Sequence, residues 1–310
     1  MIGKVALVGP TAAGKTAVGI LLAQRFNAEI ISADSVQVYR KMDVGTAKPT
    51  AEEQAQVPFH LIDVVDPGQD WTLADMQEAA SRAEADILRR DRQALIVGGT
   101  GLYVRALTTQ LDIPTVPPDE AFRERWRLLA EEHGNEYVHA ELAKIDPPAA
   151  ARIHVNDIKR AIRAMEVFAG TGTPLSTLHA KNREEAADEP SLIIGLNYVD
   201  RRILYSRIER RVDIMIEQGL EAEVRGLLDA GYAADLKSMQ SLGYRHMCEY
   251  LTGNMSLPDA VDLLKRDTRH FARRQLIWFR GDNRVQWVFM DDKSYEEIVE
   301  EIFTQFLTPA

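Results

Sequence analysis

Short runs of apolar residues alternate with amphipathic segments along much of the chain. Val18, Leu22 and Phe26 recur at helical spacing, and Thr72 stands where it can cap a helix over residues 73–90. Five apolar runs of strand length occur at residues 5–8, 28–32, 60–65, 94–97 and 192–196. Strands separated by helices indicate an α/β layer built on a parallel sheet.

The stretch 113–190 has a different pattern. Three prolines lie near its start, a polar segment closes it over residues 181–190, and the residues between them show helical periodicity without a convincing strand. Helical patterns return after the last apolar run, near residues 204–227 and 260–279. We therefore predict an α/β core, an all-helical insertion and a return to the core with C-terminal helices, over residues 1–112, 113–190 and 191–310 respectively.

Composition narrows the class of protein. The 310-residue chain is 45% hydrophobic and 27% charged, which is typical of globular domains and argues against disorder. One cysteine, Cys248, excludes intrachain disulfides and zinc sites made of cysteines. Without an apolar run of membrane-spanning length or the pattern of a signal peptide, we expect a cytoplasmic protein with no membrane partner.

Net charge points away from nucleic acid, whereas its distribution does not. The chain has 37 Lys and Arg against 47 Asp and Glu, a balance of −10. Three segments are nevertheless basic, with local charges of +4, +4 and +5 over residues 152–183, 201–211 and 265–284. Since RNA binding needs only one basic surface, the sequence predicts a divided surface that is compatible with an RNA partner.

A complete G-x-x-x-x-G-K-[ST] motif follows the first apolar run. Its residues are Gly9, Pro10, Thr11, Ala12, Ala13, Gly14, Lys15 and Thr16. Backbone N–H groups of such a loop cradle phosphate oxygens, the lysine adds a cation, and the hydroxyl of Thr16 can bind Mg²⁺. The motif predicts a bound di- or triphosphate, but by itself it identifies neither the ligand nor the reaction.

Two further segments follow predicted strands. Asp34 comes after the second strand, and Thr100 lies in a turn with Gly98 and Gly99 after the fourth. Ligands of such sheets collect at the carboxyl ends of the strands, where a carboxylate can hold Mg²⁺ through water or accept a proton. The two glycines permit a close approach of the backbone to a ligand. Taken singly, each segment also fits an ordinary turn.

These segments together resemble one family, the bacterial tRNA dimethylallyltransferases (tRNA isopentenyltransferases). The resemblance extends over nearly the whole chain and rests on residues 9–16, 34–39, 42–49, 60–63 with 66–67, 98–103, 152–154 with 156–157, 160 with 163–167, 243–245, and 273–275 with 278–280. Two positions depart from the family pattern. Ala13 stands where serine is frequent, and Met76 where an aromatic residue is common. Backbone amides do most of the cradling, so we expect little effect from Ala13.

The resemblance implies a P-loop NTPase-like fold and a Mg²⁺-dependent prenyl transfer. The dimethylallyl group would move from dimethylallyl diphosphate to N6 of adenine 37 in the anticodon loop of tRNA. Asp34 would accept the proton of the amine, Thr100 would orient it, and Lys15 with its loop would hold the diphosphate. Arg207 and Arg211 lie four residues apart on one helical face, and they could reach either the diphosphate or the RNA.

The resemblance also implies a set of tRNA contacts. The matching residues are Asp34, Ser35, Val36, Gln37, Thr100, Arg123, Lys159, Arg160, Ala161, Ile162, Arg163, Gln240, Ser241, Leu242, Gly243, Tyr244 and Arg245. We expect a monomer that binds the anticodon stem-loop.

Three other functions remain open. The chain could prenylate free adenosine phosphates, phosphorylate a small metabolite from bound ATP, or bind RNA in a nucleotide-dependent manner without catalysis. A helical insertion of 78 residues that carries a basic segment favours a large RNA partner.

Overall fold

The computed structural model describes residues 3–109, 114, 116–185 and 191–307. The chain forms two compact units. The first comprises residues 1–108 and 190–310, and the second comprises residues 109–189. The predicted insertion, residues 113–190, thus starts four residues later and ends one residue later than the second unit.

A parallel sheet forms the centre of the first unit. Its strands lie in the order β3-β2-β4-β1-β5-β6. Their bounds are Val5–Val8 for β1, Ala28–Ala33 for β2, Phe59–His60 for β3, Gln93–Gly98 for β4, Leu192–Asn197 for β5 and Val285–Phe289 for β6. Val5 of β1 lies between Leu95 of β4 and Leu192 of β5. Helices cover both faces of such a sheet, which explains why the inner strands are continuous apolar runs.

Helices connect these strands. In chain order they are α1 (Lys15–Arg25), α2 (Ala51–Gln56), α3 (Leu73–Arg89), α4 (Gly101–Thr108), α5 (Glu120–His133), α6 (Asn135–Ile145), α7 (Pro147–Ala150), α8 (Ile158–Thr171), α9 (Leu175–Glu185), α10 (Arg201–Glu217), α11 (Leu220–Asp229), α12 (Tyr244–Leu251), α13 (Leu257–Arg280) and α14 (Tyr295–Ile302), and a π-helical turn follows at Phe303–Leu307. Thr72 caps α3 as predicted, because its hydroxyl accepts from the amide of Asp75 while the Asp75 carboxylate accepts from the amide of Thr72.

The extent of one predicted strand was wrong, and another strand was not predicted. The apolar run at residues 60–65 contributes only His60 to a strand, because Leu61 and Asp63 have φ values of 63° and 55° and turn the chain away from the sheet. Strand β6 was missed. It lies at the edge of the sheet, where exposed Gln286 and Phe289 interrupt its apolar pattern.

The second unit is helical throughout its described residues and has its own core. Val138 and Leu142 of α6 pack with Met165 of α8. Ala161 and Ile162 also lie in this core, with 1% and 4% of their surface exposed, so their side chains do not serve as the RNA contacts that the sequence suggested. The reason is the amphipathicity of α8, which turns its small and apolar residues inward.

Candidate functional site

The phosphate-binding loop joins β1 to the amino end of α1. Gly9, Ala12 and Gly14 have φ values of 148°, 64° and 88°. A Cβ atom at Gly9 would lie 2.5 Å from the carbonyl oxygen of Leu196, so only glycine fits there. The loop delivers Lys15 and Thr16 to the first turn of α1, where free N–H groups and the helix dipole favour an anion.

Lys15 lies at the base of this loop. Its Nζ donates to the carbonyl oxygen of Pro10 at 2.8 Å. The pKa of Lys15 is lowered to about 7, chiefly by burial and also by repulsion from Arg211, while attraction to Asp34 offsets part of the shift. A bound diphosphate would stabilise the charged ammonium, so the lysine is poised to gain its charge together with the ligand.

Arg207 of α10 lies directly against the loop. Its Nε donates to the carbonyl oxygen of Ala12 at 3.0 Å, and its Nη2 donates to the hydroxyl of Tyr295 at 2.9 Å. The guanidinium also lies 5.7 Å from the centroid of the Tyr198 ring. One helical turn later, burial lowers the pKa of Arg211, while its attraction to Asp34 acts in the opposite direction. The structure therefore places both arginines beside the phosphate loop.

Asp34 and Thr100 meet at the carboxyl ends of β2 and β4. Asp34 Oδ1 accepts from the amides of Val36 and Gln37, at 2.9 and 3.3 Å. The hydroxyl oxygen of Thr100 accepts from the amide of Ser35 at 3.2 Å. Register explains the meeting, because Ala33 of β2 pairs with Gly98 of β4, immediately before these residues.

The glycines before Thr100 lie against neighbouring parts of the protein. A Cβ atom at Gly98 would lie 2.2 Å from the carbonyl oxygen of Ala33, and one at Gly99 would lie 2.3 Å from Nε2 of Gln275. These contacts require glycine at both positions, and the close approach of a ligand to the same backbone stays a prediction.

Gln275 is a site residue to which the sequence assigned no role. Its Oε1 accepts from the amide of Thr11 at 2.8 Å, and its Nε2 donates to the carbonyl oxygen of Gly99 at 2.9 Å. The buried side chain therefore bridges the phosphate loop and the turn that carries Thr100. The only signal in the sequence was its place in the segment 273–280.

One cavity of about 1200 Å³ contains these groups. Seven cationic side chains and four carboxylates line it, so it is basic within an acidic protein. The cations are Lys15, Lys48, Arg207, Arg210, Arg211, Arg245 and Arg274. Thr16, Ser35, Val36, Gln37, Thr100, Gln240, Ser241, Leu242 and Gly243 are among its other lining residues. Most of the site residues predicted in the first unit therefore line one cavity, although Gly9, Pro10, Ala13 and Tyr244 are not among its lining residues.

Tyr244 departs from its predicted role. None of its surface is exposed, and its hydroxyl donates to Glu223 Oε1 at 2.6 Å, so the side chain is unavailable to RNA. Its neighbour Arg245 does line the cavity and is paired with Asp267 at 2.6 Å. The tyrosine ring packs against the backbone of Gly45, and this contact contributes to its burial.

The predicted cations of the second unit fall into two groups. Arg123 and Arg163 both pair with the buried carboxylate of Glu166, so they stabilise the helices. Lys159 and Arg160 are exposed at the start of α8, and within the described part of the chain Arg160 pairs with Asp157, at 3.4 Å. Of these four cations, Lys159 and Arg160 can therefore contact a polyanion without breaking an ion pair with the buried Glu166.

The chemistry of the loop fits Mg²⁺. The hydroxyl of Thr16 lines the cavity and has no hydrogen-bond partner among the described residues. No cluster of three or more His, Cys, Asp or Glu side chains in the described parts of the chain is placed to hold a metal by itself. Mg²⁺ characteristically uses few protein oxygens and completes its shell with phosphate and water, which is compatible with Thr16 beside a diphosphate.

Known proteins share both the sequence and the architecture. A model of the IPP transferase family matches residues 37–282, and one described as isopentenyl transferase matches residues 3–63. The chain belongs to the IPP transferase family. It is 51% identical over 281 residues to the tRNA dimethylallyltransferase of Geobacter metallireducens, a match that covers 90% of each chain.

Solved structures extend this family relationship to the fold. The crystal structure of a tRNA isopentenylpyrophosphate transferase from Bacillus halodurans has 43% identity and a TM-score of 0.73, and the match covers 98% of this chain and 95% of that one. A eukaryotic dimethylallyltransferase, described as acting on tRNA, has 24% identity and a TM-score of 0.77, with 98% and 76% covered. At that identity it supports the fold alone. The predicted resemblance and the P-loop NTPase-like fold are confirmed.

No helix within the described residues is both long enough and apolar enough to cross a membrane.

Proposed function

We propose that this protein transfers a dimethylallyl group from dimethylallyl diphosphate to N6 of adenine 37 in the anticodon loop of tRNA. Membership of the IPP transferase family and the names of the similar proteins support prenyl transfer to tRNA. The observation that carries the proposal is the single basic cavity in which the phosphate loop faces Asp34 and Thr100. One end suits a diphosphate leaving group and the other suits a weak nucleophile.

In this reaction the bond between C1 of the prenyl group and the diphosphate oxygen breaks, and a bond from C1 to N6 forms. The bonding electrons leave with the diphosphate, whose growing charge is stabilised by Lys15, Arg207 and the loop amides. The allylic carbon spreads positive charge, which makes a loose displacement favourable. The lone pair of N6 is delocalised into the adenine ring, so Asp34 assists by accepting its proton.

Thr16 would hold Mg²⁺ together with oxygens of the bound diphosphate. The ion supplies additional positive charge to the leaving group. Within the chain, the hydroxyl of Thr16 in the first turn of α1 would hold the ion, and Asp34 lines the same cavity.

The size of the cavity favours a nucleotide base over a small metabolite. About 1200 Å³ exceeds what a five-carbon diphosphate needs, and the polar residues Gln240, Ser241 and Arg245 are among those that line the cavity. The adenine must leave its stack to enter, which costs a few kcal/mol and is least expensive in a single-stranded loop. Exposed Lys159 and Arg160 would help to offset this cost by binding the RNA backbone. We propose a monomer that acts in the cytoplasm, where its tRNA substrate is found.

A panel of acceptors tests the proposal. The protein is incubated with dimethylallyl diphosphate and either unmodified tRNA or AMP, with and without EDTA, and the digested nucleosides are weighed. We expect prenyl-adenosine from tRNA only, and none in EDTA. Prenylation of AMP but not of tRNA would select the cytokinin-type reaction, and phosphate transfer from ATP to a small acceptor would select a kinase.

A further inference from the structure

Glu223 of α11 binds the loop 43–47, to which the proposed reaction assigns no role. Its Oε2 accepts from the amides of Asp43 and Val44 at 2.9 and 2.8 Å, and its Oε1 accepts from the amide of Gly45 at 3.1 Å. The hydroxyl of Tyr244 completes the set, at 2.6 Å from Oε1. One carboxylate therefore gathers four donors from two distant segments of the chain.

The aromatic ring of Tyr244 packs against the same loop. A Cβ atom at Gly45 would lie 2.5 Å from the ring, so ring and glycine backbone are in direct contact. Burial and the neighbouring Glu223 carboxylate raise the pKa of Tyr244, which keeps the phenol protonated as a donor. Glycine at position 45 is thus required for this packing.

The loop 43–47 in turn determines which hydrogen-bonding group of the Gln37 side chain is available to a ligand in the cavity. Gln37 Nε2 donates to the carbonyl oxygens of Thr46 and Ala47, at 3.4 and 3.2 Å, while Oε1 accepts from the hydroxyl of Ser32 at 3.1 Å. The opposite amide orientation would set an oxygen against two carbonyl oxygens and is therefore unfavourable. Because Nε2 is directed at these two carbonyl oxygens, the group that Gln37 offers to a ligand is its carbonyl oxygen, which retains a second lone pair.

We infer that Glu223 and Tyr244 are positioning residues for the acceptor base, which they influence through the loop 43–47 and the side chain of Gln37. This inference rests on the proposed function and adds a basis for base selection. Held in this way, Gln37 presents an acceptor, as Asp34 does. Two acceptors suit the exocyclic N–H groups of adenine and repel the O6 atom of guanine.

The test compares Glu223→Gln with Glu221→Gln, a change on the same helix whose carboxylate pairs with Arg225 instead. An amide at position 223 places an NH₂ group against backbone N–H donors. We expect kcat/KM for tRNA to fall about 10- to 100-fold, as for loss of a hydrogen bond to a charged group, while KM for dimethylallyl diphosphate stays within about twofold. Tyr244→Phe keeps the ring and should show a smaller change of the same kind.

Two measurements distinguish a role of Glu223 in positioning the acceptor base from a role in the stability of the fold. The affinity ratio for tRNA carrying A37 against tRNA carrying G37 should narrow in Glu223→Gln and stay unchanged in Glu221→Gln. In a Gln37→Ala background, Glu223→Gln should have little further effect, since both act through one side chain. An unchanged ratio, or fully additive effects in the cycle, would overturn the inference. A wild-type protein that prenylates no tRNA would instead overturn the proposed function.

Discussion

Asp34 shows how far a single residue can be interpreted from sequence. Its place after a strand predicted a carboxylate at the edge of the sheet, and the structure puts it there. Its two backbone hydrogen bonds, from Val36 and Gln37, depend on the turn that follows and were not predictable. An ordinary turn aspartate would make the same two hydrogen bonds. What distinguishes Asp34 from such a residue is that it lines the same cavity as Lys15 and Thr100.

Replacing Asp34 by Asn tests its proposed role as base. Asn keeps the oxygen that accepts from Val36 but cannot take up a proton at neutral pH. We expect kcat to fall by about 10²- to 10⁴-fold, with affinity for dimethylallyl diphosphate nearly unchanged. The measurement is single-turnover prenylation of tRNA, with Asp235→Asn, an exposed position, as the control. Near-normal turnover of Asp34→Asn would remove the base assignment.

The lowered pKa of Lys15 leads us to expect that diphosphate binding depends on pH. Its pKa of about 7 in the free protein should rise when the ligand binds. Below pH 7 the lysine is charged in both states, so its proton does not affect affinity. Above that pH, binding takes up a proton and the Kd should increase up to about tenfold per pH unit, until the pKa of the complex is reached.

Calorimetric titration of dimethylallyl diphosphate in buffers of different ionisation enthalpy measures this proton uptake. The variant Lys15→Arg remains charged throughout and serves as the control, with no uptake at the same site. Absence of proton uptake by the wild type about one pH unit above 7 would contradict the assignment.

Among the elements, those with strong local signals were predictable. The helix α3 begins at its predicted cap, and β1 and β4 coincide with apolar runs that are buried on both faces. The edge elements were not predictable, because exposed residues interrupt the apolar pattern of β6, and because Leu61 and Asp63 have positive φ values that an apolar run does not indicate. Gln275 forms hydrogen bonds with Thr11 and Gly99, which precede it by 264 and 176 positions in the sequence. No local sequence pattern therefore indicates this bridge.

This bridge should matter for catalysis, because it sets the phosphate loop against the turn of Thr100. Replacing Gln275 by Ala removes both hydrogen bonds, and we expect kcat to fall about tenfold or more, since small displacements between reacting groups are costly. Steady-state prenylation assays measure this effect, and thermal melting shows whether the fold persists. Asp262→Asn, on the exposed face of the same helix, is the control. A folded Gln275→Ala protein with unchanged kcat would show that the bridge is dispensable.

For the whole molecule, net charge was a poor guide and its distribution a better one. The chain sums to −10, yet seven cationic side chains line the cavity against four carboxylates. The helical unit was recognisable from its prolines and periodicity, although which of its cations are exposed was not. Only the structure shows that Arg163 pairs with Glu166 while Arg160 is exposed.

Arg160→Glu therefore tests the contribution of the helical unit to RNA binding. We expect weaker tRNA binding and a salt dependence whose log–log slope is shallower by about one, as for the loss of one phosphate contact. Filter binding at several salt concentrations provides both quantities. Arg82→Glu, in the acid-rich helix α3, should leave the slope unchanged. The same slope in Arg160→Glu and wild type would place this arginine away from the RNA.

The most direct test of the account is to map the product on the tRNA itself. Unmodified tRNA is incubated with the protein, dimethylallyl diphosphate and Mg²⁺, cut with a base-specific nuclease, and the fragments are weighed. We expect one added five-carbon prenyl group, confined to the fragment that contains adenine 37 and absent when Asp34 is replaced by Asn. A prenyl group elsewhere, or unaltered fragments from an otherwise active and folded protein, would contradict it.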